Sequence, residues 1–268
     1  MSDGVLLIDK PADKTSHDVV AAVRREIGPH PPRRVGHAGT LDPFATGLLL
    51  VLVGRATRIQ RYLMALPKRY ETVARLGATS TTGDTDGEIA AGRMPADPLV
   101  LPTGELLQRP HAYSAVKVDG RRAYERARAG EQVVLDARPV TVHRFEQLWR
   151  EDDRAAFAIE CSAGTYVRVL IADLGDAYCE ELRRTAIGPF ALDDADPGRL
   201  VPLADVLSAI LPSVRLDGDD ARRAAHGVAV AATAPPGASD VLLLDGDGPI
   251  AIAQPRDDGL KPVVGFRA

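Results

Sequence analysis

The chain predicts a protein of mixed α and β structure, one large unit followed by a small one, and three observations carry that expectation. Leu48-Leu49-Leu50-Val51-Leu52-Val53 is a short uninterrupted apolar run, the pattern of a strand buried on both faces. Residues 70–76, and the pair 140–149 and 155–161 around the polar turn Arg150-Glu151-Asp152-Asp153-Arg154, read as further strands. Ser16 stands as an N-cap ahead of Val19, Val20, Val23 and Ile27, whose spacing makes one apolar helix face.

The remaining elements follow in order. Residues 5–9 read as a short buried strand and residues 56–66 as a helix. Residues 77–112 are rich in Gly, Thr, Asp and Pro, which predicts loops without core. Asp84, Asp86 and Glu88 read there as a polar turn, because the frame and flanking helices of a calcium loop are missing. Residues 121–130 suggest a basic helix, 166–178 carry helical periodicity, 183–190 read as a strand, and Pro202 opens a helix to residue 210. After Pro212 come a helical piece near 219–226, an Ala-Pro-Pro-Gly linker, and β-like runs at 241–244, 250–253 and 263–266. The expected boundaries are therefore 1–212 and 213–268.

At 268 residues and 45% hydrophobic, the chain can bury a large core. No segment approaches the roughly 20 apolar residues of a membrane helix, and the first residues hold an acid where a signal peptide needs a base. Cys161 and Cys179 fit a reducing compartment, so a cytoplasmic location is expected. The two cysteines lack metal-ligand spacing, and no Gly-rich phosphate loop is present, which argues against a structural metal, nucleotide hydrolysis and a dinucleotide cofactor. No long exposed apolar stripe is evident, so a monomer is expected.

The net charge of -4 hides an asymmetry. Residues 1–190 carry 26 basic and 25 acidic side chains, residues 191–268 carry 7 and 12, so the acid excess belongs to the C-terminal region. In the N-terminal region the bases cluster: Arg33 and Arg34; Arg55, Arg58 and Arg61; Arg121, Arg122, Arg126 and Arg128. Such clusters usually form a solvated face; flanking the motifs below, they are read as RNA-phosphate contacts.

Gly36-His37-Ala38-Gly39-Thr40-Leu41-Asp42-Pro43-Phe44-Ala45-Thr46-Gly47 holds one acid in a turn of glycines and a proline, directly before the buried run. Pro43 fixes its own φ and restricts Asp42, so the carboxylate is held still. The segment resembles the catalytic loop of the TruB family of tRNA pseudouridine synthases, G-H-x-G-x-L-D-P-x-A-x-G, at every fixed position. Similar matches follow in register: Asp9-Lys10-Pro11 with Thr15-Ser16, Lys68-Arg69-Tyr70, Tyr113-Ser114-Ala115-Val116-Lys117, Cys161 through Arg168, and Leu182-Arg183-Arg184. One departure stands out: Asp13 occupies a position where the family commonly has Gly. If that backbone has positive φ, Asp tolerates it better than most residues.

The resemblance implies a pseudouridine synthase fold, a mixed central sheet flanked by helices, with a small C-terminal PUA-like β-rich domain. It implies isomerisation of the T-loop uridine (position 55) of tRNA, with the T arm as partner and without metal or cofactor. Asp42 is then the carboxylate beside the ribose, Arg183 its paired cation, and Tyr70 the residue stacked on the base near the C5 proton. His37 would fill the space vacated by the flipped base, or brace the loop. Lys10, Lys68, Lys117, Tyr166 and Arg168 would be RNA or pocket contacts. Plainer readings exist for two of these: Tyr70 as a core aromatic, and Arg183 as a surface partner of Glu180 or Glu181. A binding module without catalysis, and the guide-RNA branch of the superfamily, are the competing functions; the absence of lysine-rich tails favours the stand-alone bacterial type.

Overall fold

Strand Thr46–Val53 is the axis of the molecule because period-two alternation sends its side chains into two different cores. Leu48, Leu50 and Leu52 join one core; Leu49, Val51 and Val53 pack against Val20 and Val23 of the helix Ser16–Ile27. That helix begins with a capping box on Thr15, one residue before the Ser16 cap expected from sequence. The computed structural model describes residues 3–28, 33–111, 117–118, 120–123, 126 and 129–267.

In chain order the strands are β1 (Gly4–Lys10), β2 (Val35–His37), β3 (Thr46–Val53), β4 (Lys68–Leu76), β5 (Ala78–Ser80), β6 (Ile89–Ala91), β7 (Gly104–Gln108), β8 (Lys117–Val118), β9 (Arg121–Arg122), β10 (Arg138–Glu151), β11 (Arg154–Cys161), β12 (Ala177–Ile187), β13 (Phe190–Ala191), β14 (Leu200–Pro202), β15 (Ser213–Arg215), β16 (Val241–Asp245), β17 (Gly248–Arg256) and β18 (Gly259–Gly265). The large sheet runs β14-β1-β3-β12-β4-β11-β10-β7, with β2 beside β3 and β13 beside β12. All its pairings are antiparallel except β3 with β12, which meet over only two residue pairs, Thr46 with Arg183 and Gly47 with Arg184. The sheet is therefore two halves joined at a short parallel seam. The segment 38–45, which contains Asp42, leads directly into that seam.

Several expectations change here. Residues 77–112 hold three short strands, Leu99, Leu101 and Leu106 pack on the core, and Asp84 and Gln108 are buried, so the region is not free of core. The helix expected over 166–178 stops at Ala172, and Ala177–Ile187 is a strand in which Ala177, Tyr178 and Cys179 are buried. Of the expected basic helix at 121–130, Arg121–Arg122 instead pairs with Lys117–Val118 as a strand, while Ala123 and Arg126 are helical. Asp13 has φ 60, in the left-handed region, as the substitution for Gly suggested.

Strands β15 to β18 form a separate four-stranded sheet with its own apolar core around Val241, Leu243, Ile250 and Leu260. Its other face, through Leu242, Ile252 and Phe266, enters the core that holds Leu48, Leu50 and Leu52. Arg55 donates to the Phe266 carbonyl and pairs with Asp3, Arg58 donates to the Gly265 carbonyl, and Arg61 lies over the Tyr62 ring. Two members of that basic cluster thus also tie the segment after β3 to the end of the small sheet. In the next cluster Arg121 and Arg126 both pair with Glu131. Among the described residues no helix is long and apolar enough to cross a membrane.

Candidate active site

Asp42 reaches a cleft of about 350 Å³ beside the seam, whose wall includes Lys68, Tyr70, Tyr166, Arg168, Leu182 and Arg184. The loop that carries it is held from beneath. Fully buried Lys10 donates to the carbonyls of Pro11 (2.8 Å), Lys14 (2.7 Å) and Pro43 (3.1 Å), and the Ser16 hydroxyl accepts from the Leu41 N–H at 2.9 Å. Burial lowers the Lys10 pKa to about 8, against the opposing attraction of Asp42. Lys10 is consequently a clamp on the loop, and the expectation that it contacts RNA does not fit its burial.

The cation on Asp42 is Arg168. Its Nε lies 2.9 Å from Asp42 Oδ2, while its Nη1 donates to the Thr82 carbonyl at 2.6 Å and to Asp84 Oδ2 at 2.9 Å. Arg168 and Asp84 are both buried, and Thr82 Oγ1 and the Asp86 N–H donate to Asp84 Oδ1. One guanidinium thus joins the partly exposed Asp42 to a fully enclosed carboxylate. Burial, with Asp84 nearby, raises the Asp42 pKa from the ordinary value of 3.8, and Arg168 opposes that rise. The turn at Asp84, read from sequence as merely polar, is the anchor of the arginine.

Arg183, expected opposite Asp42, is on the other face of β12. It pairs with Asp9 through Nη2 to Oδ2 at 2.7 Å, donates to Thr46 Oγ1 at 3.2 Å, and is absent from the cleft wall. Strand parity explains the correction. Leu182 and Arg184 point inward and Arg183 points away, so a strand beginning at Leu182 could have assigned the two arginines.

Tyr70, half-buried on β4 and opposite Arg184 of β12, faces the cleft, and burial raises its pKa. Lys68 is buried, fastened to the Met64 and Leu66 carbonyls, with its pKa lowered to about 8 chiefly by burial. Tyr166 is positioned by Gln108, which sequence analysis missed: its Oε1 accepts from the Tyr166 N–H at 2.7 Å, and its Nε2 donates to the Tyr166 carbonyl at 3.0 Å. His37 is on β2 opposite Val51, its carbonyl accepting from Gln60, and it does not line the cleft. The backbone of Lys117 is in β8; its side chain and Tyr113 to Val116 lie outside the described residues. Behind Arg168 is a second hollow of about 620 Å³ that contains neither Asp42 nor Tyr70. Cys161 and Cys179 are buried free thiols with pKa raised to about 11 and about 12 by burial, which suits packing and not nucleophilic attack. Among the described residues no three His, Cys, Asp or Glu side chains are grouped as metal ligands.

A mixed sheet parted at one seam, with a carboxylate, a guanidinium and a phenol at the opening, defines the pseudouridine synthase class. The chain belongs to the TruB family: the family model described as TruB family pseudouridylate synthase (N terminal domain) matches residues 25–167. It is 43% identical to the tRNA pseudouridine synthase B of Thermobifida fusca over 99% of both chains, and 38% identical to that of an Arthrobacter species over 91% of this chain and 88% of the relative. A solved Cbf5-Nop10-Gar1 complex contains a chain that is 25% identical, with TM-score 0.67 over 97% of this chain and 83% of that one. An H/ACA RNP bound to a substrate RNA containing 2'-deoxyuridine matches in fold, with TM-score 0.69 and 23% identity over 99% of this chain and 85% of its counterpart.

Proposed function

We propose that the protein isomerises the T-loop uridine of tRNA to pseudouridine, with Asp42 as the acting carboxylate. The observation that carries this reading is the Asp42–Arg168 pair at the cleft beside Tyr70. The reaction breaks the bond from ribose C1′ to N1, joins C1′ to C5 and removes the C5 proton, with no net redox change, so it calls for no cofactor. It needs a charged carboxylate held beside the sugar, and Arg168 supports that charge against burial. It needs a group beside C5, and Tyr70 faces the same space. The target base must leave its stack to enter the cleft. The T arm is the partner we assign. We take residues 213–268 as a PUA-like unit that buttresses the catalytic domain, residues 1–212. We place the enzyme in the cytoplasm, acting as a monomer.

Incubating the protein with an unmodified tRNA transcript and mapping pseudouridine chemically tests this. Product at the T-loop uridine is expected. A T loop left unmodified while the tRNA is bound overturns the reading and leaves a binding module.

A further inference from the structure

Arg184 is almost wholly buried at 1% exposure, yet among the described residues no carboxylate is within ion-pair distance of it. An arginine enclosed without a counter-ion is costly unless its donors are used. They are used on one target: Nε donates to the Leu48 carbonyl at 2.8 Å, Nη2 to the Gly39 carbonyl at 3.1 Å, and Nη1 approaches the Thr40 carbonyl at 3.4 Å. These carbonyls bracket Asp42 on both sides. The planar fork of a guanidinium can span them, whereas an ammonium on a flexible stem cannot.

Arg184 is also the middle of a row across three strands, with Gly47 of β3 on one side and Tyr70 of β4 on the other. Gly47 has φ 102, and a Cβ there would lie 2.3 Å from the Arg184 carbonyl oxygen, so only glycine lets the strands meet. Tyr70 is directly opposite Arg184 in register, and both side chains line the cleft.

We propose that Arg184 is a positioning residue that holds the Asp42 loop and orients the Tyr70 phenol as one unit. Resting on the functional reading above, the proposal adds that the loop and the phenol are coupled through this side chain. Its action on the reaction passes through both the Asp42 loop and Tyr70.

The test is a double-mutant cycle on unmodified tRNA, with R184Q, R184K, Y70F and the two combinations, read by single-turnover pseudouridine formation, tRNA binding and thermal unfolding. R184Q is expected to fold, to bind tRNA as wild type does, and to lose roughly 100-fold in rate, the scale of a misplaced acid–base group. R184K retains the charge and recovers some of that rate. In the Y70F background the loss from each Arg184 variant is smaller than in the wild-type background, leaving only the part that passes through the Asp42 loop. Equal losses with and without the Tyr70 hydroxyl overturn the proposal, as does full activity of R184Q. Failure of both Arg184 variants to fold also overturns it, assigning the residue to stability alone. Lack of product from wild type defeats the functional reading instead, so the two failures are distinct.

Discussion

The two sheets solve burial in opposite ways. The interior of the C-terminal sheet is apolar, with Val241, Leu242, Leu243, Ile250, Ile252 and Leu260 fully enclosed. All the buried polar and charged side chains among the described residues lie between Lys10 and Arg184, and Lys10, Lys68, Asp84, Arg168 and Arg184 gather around the cleft or under its loop. Buried charge costs stability and gives fixed geometry; buried hydrocarbon does the reverse. The contrast teaches that this fold concentrates its costly groups where a reaction needs them and leaves stability to the rest.

That contrast can be broken by substitution. The largest effect is expected for D42N, which removes the charge and keeps the side chain's shape: pseudouridine formation is lost in a product assay while tRNA affinity is retained. R168M leaves Asp84 enclosed and uncompensated, and we expect a loss of about 3–5 kcal/mol in urea unfolding in addition to lost activity. I252A opens a cavity where the two sheets share a core and is expected to cost about 2–5 kcal/mol with the chemistry of Asp42 untouched, as a single-turnover assay on folded protein checks. Equal damage from I252A and D42N to the rate on folded protein would erase the division drawn here.

Charge at the cleft also sets pH behaviour. Because the Asp42 pKa is raised, turnover falls on acidification with a midpoint above 3.8. Lys68 runs the other way for stability: its folded pKa, about 8, is below the ordinary value of 10.5, so the folded state releases its proton first. The burial penalty is full below about 8 and is relieved as pH rises toward 10.5, so wild type gains stability relative to K68M across that window, as urea midpoints at several pH values will show. The smallest effect is expected for R183A, which removes a half-exposed pair with Asp9 for about 0.5 kcal/mol or less in the same unfolding assay.

Much of this was legible in the chain. The run 48–53 announced a doubly buried strand, and the hairpin at 150–154 was marked by five polar residues between strands. Asp42 and Tyr70 were legible because a motif fixes both, and both line one cleft. Three things were hidden for physical reasons. Periodicity after Tyr166 could not reveal that the helix ends at Ala172, since Tyr178 continues an apolar pattern that β12 uses instead. Asp84 looked like loop chemistry because its burial depends on Arg168, 84 positions away. The exchange of Arg183 for Arg168 as the partner of Asp42 turns on which face each arginine occupies, a fact of strand parity and of tertiary contact.

The core that unites Leu48 with Phe266 has a consequence for how the protein is made. Val5 and Leu7 lie in it as well, so strands synthesised early share a core with a residue far downstream in the chain. Until Phe266 has cleared the ribosome, that core lacks part of its cover on the nascent chain.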